Sequence, residues 1–278
     1  MKPRKCFVTQ FSLVAVACAM IEGGATLAVE LKFAGRKWLV KESAEPAGPG
    51  PNRFSADPMD VWVDDAGLHL TIHQYGKHWY STEVSLDENL GHGTYLFQTS
   101  SRQDLLDDNV VFGAFTWDVH GDDPRIPEYP NREIDFEDSR WKEAGGPNTQ
   151  IVVQPGLVPG NHFQFQLPDL SKEAALTRFF TWSPATVDFV SLHGKYSAKG
   201  YPKAAVFHQH TYLENEATKN IVPHPGRENF RFNLWLFESQ EPKRRQAVEV
   251  VISDFEFIPL ADDAAKAARQ KAAGTDQN

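Results

Sequence analysis

"FRFNLWLF", Phe230 to Phe237, decides the architecture. Successive side chains of a β-strand point to opposite faces. Phe230, Phe232, Leu234 and Leu236 therefore share one face, and Arg231, Asn233, Trp235 and Phe237 share the other. The first set is a core face; the second carries a guanidinium and an amide and needs a polar partner. "HFQFQL" (162–167) divides in the same way, with Phe163, Phe165 and Leu167 opposed by His162, Gln164 and Gln166. Half-buried antiparallel strands give this alternation.

From Val61 onward such runs recur between clusters of Gly, Pro, Asp and Asn. They predict strands over 61–63, 68–73, 92–99, 109–118, 132–138, 150–154, 162–167, 177–182, 186–192, 204–212, 230–237 and 247–258. "VDDAGLHL" places a hairpin turn at Asp65-Ala66-Gly67, and the prolines of "GPGPN" (48–52) mark a loop. About a dozen short strands without a long helix imply an all-β fold, a two-sheet antiparallel β-sandwich or jelly roll. With 278 residues, 41% of them hydrophobic, the chain builds one large core without metals or cross-links. No linker divides the body, which runs over 29–260. The tail over 261–278 is Ala-rich and polar with no large apolar face, a marginal helix or a loose end.

The first 28 residues differ in kind. Lys2, Arg4 and Lys5 precede an apolar run from Cys6 to Ile21, too short to span a membrane and followed by small residues. That order predicts a signal peptide over 1–28, cleaved after 17–19 or 26–28, and hence a secreted or periplasmic protein. A lipid-anchored start at Cys18 is the alternative. Both cysteines of the chain, Cys6 and Cys18, lie in this leader, so the mature protein would have no disulfide and no thiol nucleophile. The formal charge is -9, and losing the basic leader leaves the remainder more acidic still. Such a surface repels nucleic acid and anionic lipid but not neutral sugars.

"NREIDFEDSRW" (131–141) carries the chemistry. As a strand it points Ile134 and Phe136 into the sandwich and Glu133, Asp135 and Glu137 out of it. In an acidic chain the bare spacing is weak evidence. Three carboxylates on one face nevertheless repel one another, and a face chosen for solubility alone would mix in Lys or Thr. Retaining glycoside hydrolysis uses two carboxyl groups flanking the scissile bond, one as nucleophile and one as acid and then base. Charge between neighbours raises the pH at which each ionises, so one can stay protonated near neutrality and the three titrate as a set.

"EIDFE" resembles the Glu-x-Asp-x-Glu signature of glycoside hydrolase family 16, the lichenases, laminarinases and xyloglucan endotransglycosylases. "GHGTYLFQTSS" is similar to the family's strand after a glycine turn, "FFTWSPATVDFVSLHG" to its Trp-x-Pro hairpin, "RFNLWLF" to its late cleft strand and "EVVISDFEFIP" to its closing strand. These stretches lie in the family's order between Trp79 and Pro259. The resemblance implies a concanavalin A-like jelly roll, with Glu133 as nucleophile, Asp135 as assisting residue and Glu137 as general acid/base. It implies a β-linked polysaccharide substrate, no organic cofactor, and a structural calcium in some members near the position of Asp254. The chain departs from the family where Asp138, Ser139, Arg140 and Trp141 replace the usual Phe-Leu-Gly, and where His92 replaces an aromatic residue.

A sugar cleft needs flat apolar platforms and hydrogen-bonding side chains. Trp117 reads equally as a platform or as core, and Trp141 as a cleft wall or not. Asn233 and Trp235 match cleft positions of the family, and Gln150 and Gln154 alternate on the strand after the motif. His208 and His210 share a strand face without an adjacent third ligand, which makes them structural rather than metal-binding. No Gly-x-Ser-x-Gly elbow or phosphate loop is present. The expectation is a monomeric, secreted, retaining endo-glycosidase or transglycosylase without a catalytic metal. The rival is a lectin-like jelly roll that binds carbohydrate without turnover.

Overall fold

The computed structural model describes residues 28–261. The expected leader over 1–28 and tail over 261–278 lie outside the described residues except for Ala28 and Ala261. The described chain holds seventeen strands: β1 (Val29–Phe33), β2 (Arg36–Val40), β3 (Ser43–Ala47), β4 (Asn52–Phe54), β5 (Val61–Asp64), β6 (Gly67–Tyr75), β7 (His78–Leu86), β8 (Gly93–Thr99), β9 (Val110–Trp117), β10 (Ile134–Asp138), β11 (Thr149–Val153), β12 (His162–Phe165), β13 (Leu176–Trp182), β14 (Thr186–His193), β15 (Val206–Leu213), β16 (Asn229–Leu236) and β17 (Val248–Pro259).

Two antiparallel sheets face each other. The first runs β1-β2-β7-β16-β9-β10-β11-β12. The second runs β5-β6-β17-β8-β13-β14-β15. A continuous β6–β7 hairpin, paired at His73 and Tyr80, carries the chain from the second sheet to the first. This is the expected all-β sandwich. Between the sheets Phe230, Phe232, Leu234 and Leu236 pack with Trp38, Tyr95, Phe97, Phe136 and Phe180. Arg231, Asn233 and Trp235 take the outer face of β16, as the alternation requires.

Every strand expected from Val61 onward is present, while β1 to β4 and β7 were not anticipated. In β7 the inward set is only Thr82, Val84 and Leu86, and a hydroxyl stands where a large apolar side chain would have signalled the strand. Thr82 is satisfied by donating to the Thr71 carbonyl at 2.9 Å. The β1–β2 hairpin turns on Ala34 and Gly35, both at positive φ (51° and 71°), a pairing suited to the right-handed twist of its strands. The expected turn at Asp65-Ala66-Gly67 joins β5 to β6, and Ser183 caps the Trp-Ser-Pro hairpin between β13 and β14.

His208 and His210 sit where the sheets' free edges meet. His208 stacks flat on Phe165 of β12, with ring centroids 3.6 Å apart, and His210 lies 3.7 Å from Phe163. Asp138, which follows the acidic triplet, points inward and is fully buried against Arg178 of β13.

Candidate active site

Register across the first sheet sets the site. Glu137 on β10 lies beside Gly113 of β9, Gly113 beside Asn233 of β16, and Asn233 beside Glu83 of β7. In the next row Asp135 lies beside Phe115 and Phe115 beside Arg231. Glu133 just precedes β10. Ile134 and Phe136 are buried in the core, so the three carboxylates are pinned to the opposite face.

There they line a pocket of about 340 Å³ together with Lys41, Glu83, Phe115, Trp117, Tyr129, Arg231, Asn233 and Trp235. Gly113 forms its floor: a Cβ there would stand 2.4 Å from Asn233 Oδ1. That oxygen is buried and accepts no hydrogen bond from the described residues. Arg231 and Lys41 share Glu83, at 3.0 and 3.3 Å.

Two glutamines and a tyrosine serve the carboxylates. Gln150 Nε2 donates to Glu137 Oε2 at 2.7 Å, and Gln154 Nε2 to Asp135 Oδ2 at 3.4 Å. Tyr129 faces Glu133, and its hydroxyl favours the ionised form of that carboxyl. Its ring meets Trp117 edge to face at 6.1 Å. The loop that brings Tyr129 in is tied down by Arg132, which pairs with Asp118 and Asp122 at 2.6 Å each and donates to the His224 carbonyl.

Burial governs the protons. Desolvation lifts Glu133 to about 7, against hydrogen bonds from Tyr129 and Asp135 that act the other way. Glu137 is likewise lifted to about 7 by burial, opposed by Gln150 and helped by the charge of Asp138 behind it. Asp135 goes highest, well above the carboxylate range, because it is buried between two other carboxylates. The sequence suggested that charge on Asp135 would keep a glutamate protonated. In the structure Asp135 itself is the group that most favours the proton, and its hydrogen bond with Glu133 favours an ionised Glu133.

Of the residues expected from sequence, Glu133, Asp135, Glu137, Trp117, Asn233 and Trp235 converge on the pocket. Gln150 does not line it; it lies buried behind Glu137. Trp141 stands outside the lining, edge-on to Trp235 at 6.1 Å and to Phe237 at 5.1 Å. Tyr129, Lys41 and Glu83 were missed. Tyr129 sits in a Pro-rich loop without periodicity, and Glu83 is one acid among many on a strand that went unread. Asp254 is exposed and accepts from the backbone N–H of Phe255. Among the described residues no group of three or more His, Cys, Asp or Glu is arranged to hold a metal.

No protein-family model matches the sequence, and no curated protein matches it. Solved structures do match. A β-glucanase of Bacillus licheniformis is similar over 79% of this chain and 91% of its own, with a TM-score of 0.55 at 15% identity. The laminarinase of Flavobacterium sp. UMI-01 is similar over 79% and 92%, with a TM-score of 0.56 at 12% identity. The fold is the jelly roll of glycoside hydrolase family 16. An immunostimulatory antigen of Mycobacterium tuberculosis, described as a pseudo β-1,3-glucanase, is similar over 78% and 88%, with a TM-score of 0.55 at 17% identity. One jelly roll thus carries chains described as glucanases and one described as a pseudo-enzyme, so function has to be argued from the site.

Proposed function

We propose that the protein is an exported, retaining endo-glycosidase or transglycosylase acting on a β-linked polysaccharide. The observation that carries this is the row of three carboxylates on one pocket face, Asp135 buried and Glu133 and Glu137 half-buried, with a glutamine amide on each of the last two of the row and all three held toward protonation. A solvated acidic surface has none of these features.

In this reading Glu133, whose ionised form Tyr129 and the Asp135 proton favour against the desolvation that lifts it to about 7, attacks the anomeric carbon and forms a glycosyl ester. Glu137 gives its proton to the departing glycosidic oxygen. It then takes a proton from water or from an acceptor hydroxyl, which displaces Glu133 from the sugar. Asp135 supplies a hydrogen bond that follows the charge on Glu133 and takes no part in bond making. Trp117 and Trp235 offer ring faces to the sugar, and Asn233 Oδ1 accepts from a hydroxyl.

The test is incubation with β-glucans, galactans and xyloglucan, assaying new reducing ends beside plain binding. Cleavage of one polymer that is abolished in Glu133→Gln and in Glu137→Gln supports the assignment. Binding of several with cleavage of none transfers support to a lectin-like role.

A further inference from the structure

Gln150 stands between Glu137 and β12, and the two ends of its side-chain amide are chemically opposite. Nε2 donates to Glu137 Oε2 at 2.7 Å. Oε1 accepts from His162 Nε2 at 2.8 Å and from Gln164 Nε2 at 3.3 Å. An amide cannot turn its oxygen toward both sides, so whatever holds Oε1 decides which end meets Glu137. We propose that His162, supported by Gln164, is a positioning residue that locks the Gln150 amide with its NH2 toward Glu137, and so directs the acid proton to Glu137 Oε1. The inference rests on reading Glu137 as the acid/base.

The chemistry follows from a carboxyl having two oxygens. With an N–H donor on Oε2, that oxygen presents a lone pair, and because the carbonyl oxygen of a carboxyl is the better acceptor the proton is favoured on Oε1. No hydrogen bond within the described residues occupies Oε1 of this pocket-lining side chain. A flipped amide would present its carbonyl, draw the proton to Oε2, and leave it pointing away from any glycosidic oxygen. His162 suits the task because partial desolvation, in a side chain otherwise exposed, holds its imidazole below the ordinary value, so near neutral pH it is an uncharged ring whose Nε2–H is the donor. His162 and Gln164 alternate on β12, so both side chains lie on the face shared with Gln150.

Gln154 shows the same principle by other means. Its Oε1 is taken by the Gly156 backbone N–H at 2.7 Å, which leaves Nε2 to face Asp135. There the backbone fixes the orientation. At Gln150 side chains do it, because the strand beyond supplies only side chains on that face.

The charged and titratable groups that line the pocket with Glu137 are Glu133, Asp135, Tyr129, Lys41, Glu83 and Arg231, and Asp138 lies behind it. Gly113 of β9 brings no charge, and on the β11–β12 side Gln150 meets Glu137 and His162 meets Gln150. Changes at His162 therefore reach Glu137 through Gln150.

The experiment is a carbon-13 carboxyl titration of Glu137 by NMR in the full chain, which requires no turnover. Three proteins are compared: the natural sequence, His162→Ala with Gln164→Ala, and His162→Gln with Gln164→Ala. In the first double variant the Gln150 hydrogen bond that favours the carboxylate is lost, and the proton affinity of Glu137 rises on the order of tenfold. In the second the new amide donates in place of the imidazole, and the midpoint returns toward the natural one. An unchanged midpoint in the alanine pair, or no return with glutamine, overturns the proposal. Both side chains are exposed, which favours folding of the variants. His162→Phe with Gln164→Ala, which keeps a ring but donates nothing, gives the same reading should the alanine pair fail to fold. Absence of turnover on every polymer would refute the catalytic assignment of Glu137 and leave the titration result standing.

Discussion

Arg178 grips Asp138 with both prongs of its guanidinium, Nη1 to Oδ1 at 2.7 Å and Nη2 to Oδ2 at 2.5 Å, in the core between the two sheets. Both side chains are wholly buried, and Gln103 Nε2 adds a third bond to Asp138 at 2.7 Å. The pair stands directly behind Glu137 and is what the unusual residue after the acidic triplet is for.

Breaking one side of that pair leaves a charge in the core. Asp138→Asn is expected to cost about 3–5 kcal/mol, while Asp138→Leu with Arg178→Met recovers most of the loss because no charge is stranded. Urea denaturation of the two variants checks this. Equal losses in both would mean that packing, not charge, is at issue.

The triplet itself costs stability at high pH. Glu133 and Glu137 are lifted from 4.5 to about 7 in the folded chain, so each binds its proton more tightly folded than unfolded. Their contribution is full below the unfolded value near 4.5 and is lost as pH rises through about 7. Glu133→Gln and Glu137→Gln should therefore melt above the natural protein at pH 8, by about 2 kcal/mol each, with the gap closing toward pH 4. Melting curves at the two pH values decide it. A gap that widens on acidification would reverse the sign and discredit the burial argument.

Tyr129 lowers the proton affinity of Glu133, so Tyr129→Phe should move the acidic limb of a kcat/KM profile to higher pH and reduce the ionised nucleophile near neutrality. On the proposed assignment the basic limb belongs to Glu137 and should move less. Complete profiles on a cleaved polymer test this, and a shift confined to the basic limb would exchange the roles of the two glutamates.

Gly113 permits the close approach of Asn233. An added Cβ at 2.4 Å from Asn233 Oδ1 forces that amide away from the floor of the pocket. Gly113→Ala is expected to lower kcat/KM on the order of tenfold or more, corresponding to at least about 1.4 kcal/mol. Gly200, where nothing lies within 4 Å of an added Cβ, is the control and should tolerate alanine. Unimpaired cleavage by the Gly113 variant would remove Asn233 from the binding surface.

The sequence exposed what depends on alternation. Phe230 to Leu236 declared their two faces, and the same rule drove Ile134 and Phe136 inward and the carboxylates outward. What stayed hidden depends on partners distant in the chain. Nothing near Gln150 says that its amide will turn to Glu137 and not to a sugar, because His162 decides that from the neighbouring strand. Nothing near Tyr129 says that an aperiodic loop will set its phenol over Glu133. Asp138 was legible as a departure, but its reason lies on Arg178, in the opposite sheet.

The stack of Phe165 on His208 and the tilted contact of Phe163 with His210 close the margin where β12 and β15 approach one another. No ladder joins the two strands there, so the seam is held by side chains, and each outer strand keeps a full set of backbone partners on one flank only. Amide hydrogens along this seam should exchange with solvent ahead of those in β9 and β16, so slow breathing of the sandwich would begin beside His162.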